Sequence, residues 1–271
     1  MSTGFLKELN GAEVEAEELQ INEKFCELLK NNDFQNLIDF MSAPLENSYR
    51  SVPERLTVGL DLESPNGPHR VYLKRHWCDK AGHTDAPKDE ALSEWENLNQ
   101  LASEGIQVPQ AMAVGWGKIS GHSCAFIMMN EVPGTQADHF IEEHFPNPES
   151  PVLKKFMKKL AVFAAHFHKA GYNHRDFYLC HTFVEQLEDD WKFYLIDLQR
   201  VQKRKFWRKR WIVKDLAQFN YSALKLVDDE GRRIFYDTWC KETGVNPKSL
   251  SKAVQKKTDK MVKRELQGKV R

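Results

Sequence analysis

The stretch "GYNHRDFYLCHTFV" at 171–184 sets His174, Arg175 and Asp176 in a row, with Cys180 and His181 just ahead of a short apolar run. A glycine suited to ending a helix opens it, and residues suited to a strand close it. Asp176 is therefore predicted on a loop between a helix and a strand. The tripeptide alone does not separate a catalytic loop from a turn rich in histidine. Its flanks do.

Upstream, 151–170 carries Leu153, Phe156, Met157, Leu160, Phe163, Ala164 and Phe167 at helical spacing, with Pro151 at the first helical position and Gly171 at the stop. Downstream, two short strands, around 180–186 and in "KFYLIDL", are joined by a Glu-Asp-Asp turn, and helices are expected over the rest. Earlier in the chain, "RLTVGLDLESPNGPHRVYLKRH" alternates Leu56, Val58, Leu60 and Leu62, turns at "SPNGPH" and resumes with Val71 and Leu73, a β-hairpin pattern. "APKDEALSEWENLNQLASEGI" reads as a helix with Leu92, Trp95, Leu98 and Leu101 on one stripe. "VPQAMAVGWG" and "SCAFIMMNEV" read as strands, and the first 45 residues read as helical. Pro133-Gly134 breaks the pattern. The expected fold class is α+β and bilobal: an N-terminal helical segment plus a small β-rich lobe with one helix over 1–132, and a larger, mainly helical lobe over 133–271. Ligand clefts commonly lie between such lobes.

The 271 residues suffice for a core without covalent staples. Lys+Arg and Asp+Glu are both 39, which gives no general affinity for nucleic acid. Local charge says more: 8–19 is acidic, whereas "RVQKRKFWRKRWIVK" at 200–214 and the chain from Lys252 onward are basic. Five scattered cysteines with no C-x-x-C pair suit reduced thiols in a cytoplasmic protein. No signal peptide is read at the start, and no apolar run approaches the roughly 20 residues that span a bilayer.

Phosphoryl transfer from ATP requires a cation on the nucleotide phosphates, acceptor groups for Mg²⁺ and a carboxylate that orients the attacking hydroxyl. Lys74 in "VYLKRH" is the candidate cation, and Glu94 on the following helix would fix it, with Glu90 and Glu96 as competitors and Lys80 and Lys88 nearby. Asp176 is the candidate base, on a loop held by His174 and Arg175. Asp197, at the end of the apolar strand "FYLID", is the candidate metal ligand. Protein kinases keep an asparagine five residues after the loop aspartate as a second metal ligand. Here that residue is His181, which either ligates the metal, contacts phosphate or packs beside Asp197. No G-x-G-x-x-G precedes Lys74. Met128 and Met129 are expected to line an adenine pocket, with the backbone of Asn130 and Glu131 pairing with the base.

The segments "NHRDFYLCH" and "LIDLQRVQKR…RWIVKDLAQFNYSAL" resemble the lipopolysaccharide core heptose kinases of the Kdo/WaaP kinase family. Tyr178, Cys180, His181, Asp197, Arg200, Arg210, Trp211, Lys214 and Asp215 match by position, as do "YLKRH" and "SEWENLNQLASEGI" around Lys74 and Glu94. The likeness covers roughly 55–225 and is most specific in its second half. It implies a protein-kinase-like fold, ATP with Mg²⁺, and phosphorylation of a sugar hydroxyl in the lipopolysaccharide core or a lipid A-core precursor. Histidine at 181 favours the heptose branch over the Kdo branch. By analogy with kinases, Asp215 would anchor the catalytic loop; otherwise it is an aspartate at a helix N-terminus.

The basic run 200–214, with Phe206, Trp207 and Trp211 between its charges, could bind RNA; an anionic glycolipid or the inner-membrane surface fits the resemblance better. No specific nucleic acid is expected, and the location implied is cytoplasmic or peripheral on that membrane. Arg200 would meet anionic groups of the acceptor. "HWCDKAGH" (His76, Cys78, His83) lacks a fourth ligand at metal-site spacing and reads as loop, and His166 and His168 read as structural. Two alternatives stand beside the heptose reading: a kinase of the same fold acting on protein or another small hydroxyl compound, and a pseudokinase that only binds partners.

Overall fold

The computed structural model describes residues 4–7, 9, 11–45, 48–52, 54–78, 84–204, 206 and 208–268. Lys80, His83 and Trp207 lie outside the described residues. The chain divides into two compact units, one of residues 1–102 with 109–131, the other of 103–108 with 132–271.

The first unit is built on an antiparallel sheet of β1 (Val14–Ile21), β2 (Ser48–Val52), β3 (Arg55–Leu62), β4 (His69–Trp77), β5 (Ala111–Ile119) and β6 (His122–Asn130). The strand order is β1-β5-β6-β4-β3-β2. The hairpin read at 55–76 is β3–β4, with Thr57 opposite Lys74, and its alternating leucines and valines face the core.

The helical reading of the first 45 residues is corrected. Among the described residues there, only α1 (Gly4–Lys7), α2 (Cys26–Asn31), α3 (Leu37–Ser42) and a 3₁₀ turn at Glu23–Phe25 are helical, whereas "VEAEELQI" is edge strand β1. Its glutamates favour a helix in isolation, but hydrogen bonding along β5 overrides that preference, as an edge strand facing water tolerates charged side chains. Helix α3 lies on the sheet and stacks Phe40 on Phe126 with ring centres 3.8 Å apart. The fully buried Arg75 donates to the carbonyls of Met41 and Ala43 at 3.0 and 2.7 Å, tying this segment to β4. Burial without a carboxylate lowers the Arg75 pKa to about 10.

Helix α4 (Ala86–Ser103) buries Leu98 and Leu101 as expected but turns Ala91 and Glu94 inward in place of Leu92 and Trp95. The buried stripe is Ala91, Glu94, Leu98 and Leu101, while Leu92 and Trp95 are only half-buried. A carboxylate occupies the apolar face because a lysine meets it there.

The second unit holds α5 (Ala137–His144), α6 (Pro151–Lys169), α7 (Arg208–Ala223), α8 (Asp229–Thr243) and α9 (Pro247–Leu266). Its strands are β7 (Thr135–Gln136), β8 (Tyr172–Asn173), β9 (Thr182–Gln186), β10 (Trp191–Leu195) and β11 (Gln202–Lys203), paired as β10-β9-β7 and β11-β8. Helix α6 follows the sequence reading: Ser150 caps it, Pro151 begins it and its apolar stripe is buried except for the half-buried Phe163. Gly134, at φ +89°, lets the chain cross β9, where a Cβ would lie 1.9 Å from the Val184 carbonyl oxygen. Among the described residues, no helix is long and apolar enough to cross a membrane.

Candidate active site

In the first unit, Lys74 Nζ donates to Glu94 Oε1 at 2.6 Å, and Glu94 is 1% exposed. The competitors are placed elsewhere. Glu90 takes His76 Nδ1 at 3.0 Å and Arg55 at 3.9 Å, and Glu96 is exposed. Lys88 lies over the Trp116 ring. Met128 and Met129 are buried on β6, and Glu131 follows its end, with its amide donating to the Arg70 carbonyl and its carboxylate accepting from Tyr72.

In the second unit, the loop after β8 is held by one face of α7. Asp215 is fully buried and accepts from the amides of His174 and Arg175, both at 2.8 Å, and from the Asn173 side chain at 3.4 Å. The alternative reading of Asp215 as a helix N-terminal aspartate is excluded, because it sits in the middle of α7. Two residues absent from the sequence reading continue the contact. Gln218 accepts from the Phe177 amide at 3.2 Å and Ser222 from the Leu179 amide at 3.0 Å. The spacing 215, 218, 222 is that of one helical face, the signal that could have revealed them.

His168 adds a further layer. Trp239 Nε1 can only donate, and it does so to His168 Nδ1 at 3.0 Å; the proton of His168 is therefore on Nε2, directed at Asp215 Oδ2 at 3.3 Å. His166 is exposed.

Backbone strain falls on the loop at Arg175 and just after β10 at Asp197. Arg175 has φ 71° and Asp197 has φ 58°, a region that non-glycine residues seldom adopt and that gathers at functional sites. His174 Nε2 donates to the Ile196 carbonyl at 3.0 Å, joining the loop to the strand end that carries Asp197. Burial, and then the neighbouring His181, lowers the His174 pKa to about 4, so its ring is neutral.

His181 resolves into a definite tautomer. Its Nδ1 is 2.7 Å from the Asp176 carbonyl oxygen, which can only accept, so Nδ1 bears the hydrogen. In the neutral ring Nε2 is then a lone pair, and it lies 3.7 Å from Asp197 Oδ2. Two electron-pair donors facing each other at that distance suit a shared cation. Among the described residues no group of three or more His, Cys, Asp or Glu side chains could hold a metal, so the remaining ligands would be water and phosphate oxygens, as is usual for Mg²⁺. The donor set fits Mg²⁺ in this limited way.

The Asp176 carboxylate is occupied on both oxygens. Arg200 Nη1 donates to Oδ2 at 2.7 Å, and Oδ1 has Gln218 Nε2 at 3.4 Å and Lys214 Nζ at 3.8 Å.

Strand-borne lysine with helix glutamate, and a helix-anchored aspartate loop followed by a strand-end aspartate, define a kinase-like phosphotransferase fold. A family model described as "Lipopolysaccharide kinase (Kdo/WaaP) family" matches residues 69–237, and the chain belongs to that family. The lipopolysaccharide core heptose(I) kinase WaaP of Pseudomonas aeruginosa PAO1 is 27% identical over 218 residues, covering 77% of this chain and 80% of that one. The enzyme of the same description from Escherichia coli K12 is 28% identical over 140 residues, 49% of this chain and 53% of that one. A solved structure described as "WaaP in complex with acyl carrier protein" superposes with a TM-score of 0.66 at 25% identity, covering 90% of this chain and 98% of that chain.

Proposed function

We propose that this chain transfers the γ-phosphoryl group of ATP to a heptose hydroxyl in the inner core of lipopolysaccharide. The observation that carries the reading is the Asp176 carboxylate, on a strained loop whose amides are held by α7, with the Asp197–His181 pair in the same unit. In this reading Asp176 takes the proton of the acceptor hydroxyl as its oxygen attacks the γ-phosphorus and ADP leaves. His174, Arg175 and Asp215 keep that carboxylate in place. Lys74, fixed by Glu94, takes the α- and β-phosphates, and the backbone at Glu131 meets the adenine. Asp197 and His181 would hold Mg²⁺, which when bound would neutralise phosphate charge. The unit of 1–102 with 109–131 would act as the smaller lobe and that of 103–108 with 132–271 as the larger.

The relatives named heptose(I) kinases support the acceptor class. Incubation with ATP and a panel of dephosphorylated core oligosaccharides, with the phosphate located by mass spectrometry, tests it. Transfer to heptose is expected, and ATP turnover only with a protein or a different sugar would overturn it. Asp176→Ala should abolish transfer while nucleotide binding stays near wild type.

The basic run 200–214 is a surface for anionic lipid. Lys209 and Arg210 are exposed, and Phe206, 78% exposed, offers an apolar group beside them. Co-sedimentation with vesicles that contain anionic phospholipid, but not with neutral ones, is the expected result. Acyl carrier protein, the partner in the solved relative, is a partner to test here by co-purification.

A further inference from the structure

Pairing of β11 with β8 returns the segment after Asp197 to the start of the catalytic loop, with Lys203 opposite Tyr172 and the Arg204 amide donating to the Gly171 carbonyl at 3.0 Å. That return gathers cations. Arg175 and Arg204 each place the guanidinium carbon 4.8 Å from the centre of the Trp211 ring, and Arg210 lies at 5.4 Å from it. Arg200 is on Asp176 at 2.7 Å, and Lys214 is 3.8 Å from the same carboxylate.

The acids facing this group are few. Asp215 is buried and already accepts from the loop amides, Asn173 and His168, and Asp176 is shared between Arg200 and Lys214. Arg175 and Arg204 have no carboxylate partner among the described residues, and the Nε of each has no hydrogen-bond acceptor among them. Burial, and after it the nearby Arg200 and Arg204, lowers the Arg175 pKa against the pull of Asp176 and Asp215. Lys214 is lowered as well, by burial and, among its charged neighbours, by Arg200 and Arg175 against the pull of Asp176. Crowded, ring-oriented guanidiniums without an anion are arranged for one that arrives from outside.

We propose that Arg175 and Arg204, which flank the Trp211 ring, together with Arg200 on Asp176, form an anion subsite that takes a carboxylate or phosphate group carried by the sugar acceptor near the hydroxyl to be phosphorylated. Arg200 exchanges Asp176 for that anion. The Asp176 oxygen is then released to the hydroxyl, so the base is exposed only when an acidic acceptor is in place. This rests on the reading of the chain as a sugar kinase and adds the charge of its acceptor.

The test compares three heptosides as acceptors: one uncharged, one bearing a carboxylate and one bearing a phosphate. Wild-type protein should prefer one or both charged forms, and the form preferred identifies the anion. In Arg204→Ala the ratio of kcat/KM for charged over uncharged acceptor should fall about tenfold, chiefly through KM, the size expected for one lost charge-assisted hydrogen bond. Arg204→Lys should recover part of the preference. An unchanged ratio in Arg204→Ala would overturn the proposal, as would a wild type with no preference for charge. Separately, inorganic phosphate added without nucleotide or sugar should shift arginine Nε–Hε resonances of the wild type, and those remaining in Arg204→Ala should shift much less; no shift in the wild type would likewise overturn it. Should none of the heptosides accept phosphate, the heptose reading fails, and the phosphate titration alone decides the subsite.

Discussion

Asp197 and His181 face each other with donor atoms 3.7 Å apart, and the hydrogen on His181 Nδ1 leaves Nε2 directed at the carboxylate. If the two share Mg²⁺, Asp197→Ala should lose metal-dependent nucleotide binding, measured by titration with and without Mg²⁺. His181→Asn should retain most activity, because an amide oxygen is also a competent ligand, whereas His181→Ala should raise the Mg²⁺ concentration needed for half-maximal rate several-fold. An unaltered Mg²⁺ dependence in His181→Ala would assign the ring to packing. His174 gives a prediction on stability. Its folded pKa, about 4, lies below the ordinary value of 6.5, so the unfolded chain binds the extra proton between those values. Its contribution is therefore whole above about pH 6.5 and is lost as the pH falls towards 4, roughly 3 kcal/mol at the acid end. Denaturant unfolding from pH 7 to 4.5 should show this slope, and it should flatten in His174→Phe.

Helix α7 acts as a template for the catalytic loop, because Asp215, Gln218 and Ser222 satisfy amides of His174, Arg175, Phe177 and Leu179 from one face. Truncating a partner leaves a buried N–H without an acceptor, which costs about 1–3 kcal/mol. Gln218→Ala should lower kcat more than Ser222→Ala, since Gln218 also donates to Asp176 Oδ1 at 3.4 Å. Melting temperature and steady-state kinetics on both variants check this. Equal losses of kcat would mean that the helix only supports the fold. None of this was legible beforehand except Asp215, and that only by analogy. Gln218 and Ser222 share a helical face with Asp215, but that spacing points to the loop only once Asp215 is known to hold it.

At the level of the whole chain, the N-terminal segment is a structural part of the first unit. Strand β1 pairs with β5 from Val14 to Ile21, and α3 covers the sheet and provides the carbonyls that hold Arg75. Deleting residues 1–45 would remove the acceptors of the Arg75 guanidinium and uncover the sheet face on which Phe40 stacks against Phe126. The truncated protein should aggregate or lose its cooperative transition, read by circular dichroism and light scattering. A soluble, active truncation would show that the segment is an accessory.

The hairpin, the long helix α6, the Lys74–Glu94 candidates and the loop with Asp176 were readable in the chain because each rests on local periodicity, turn residues or an ordered set of motifs. Glu94 was favoured over Glu90 and Glu96 only by likeness to relatives, and the burial of its carboxylate against Lys74 is what separates them in the fold. Strand identity at 14–21, the inward face of α4, the grip of α7 on the loop and the gathering of arginines around Trp211 came from contacts between residues far apart in the chain. Local sequence sets preferences of a few tenths of a kcal/mol per residue, whereas ladder pairing and the satisfaction of buried polar groups are worth more and depend on neighbours that only folding brings together.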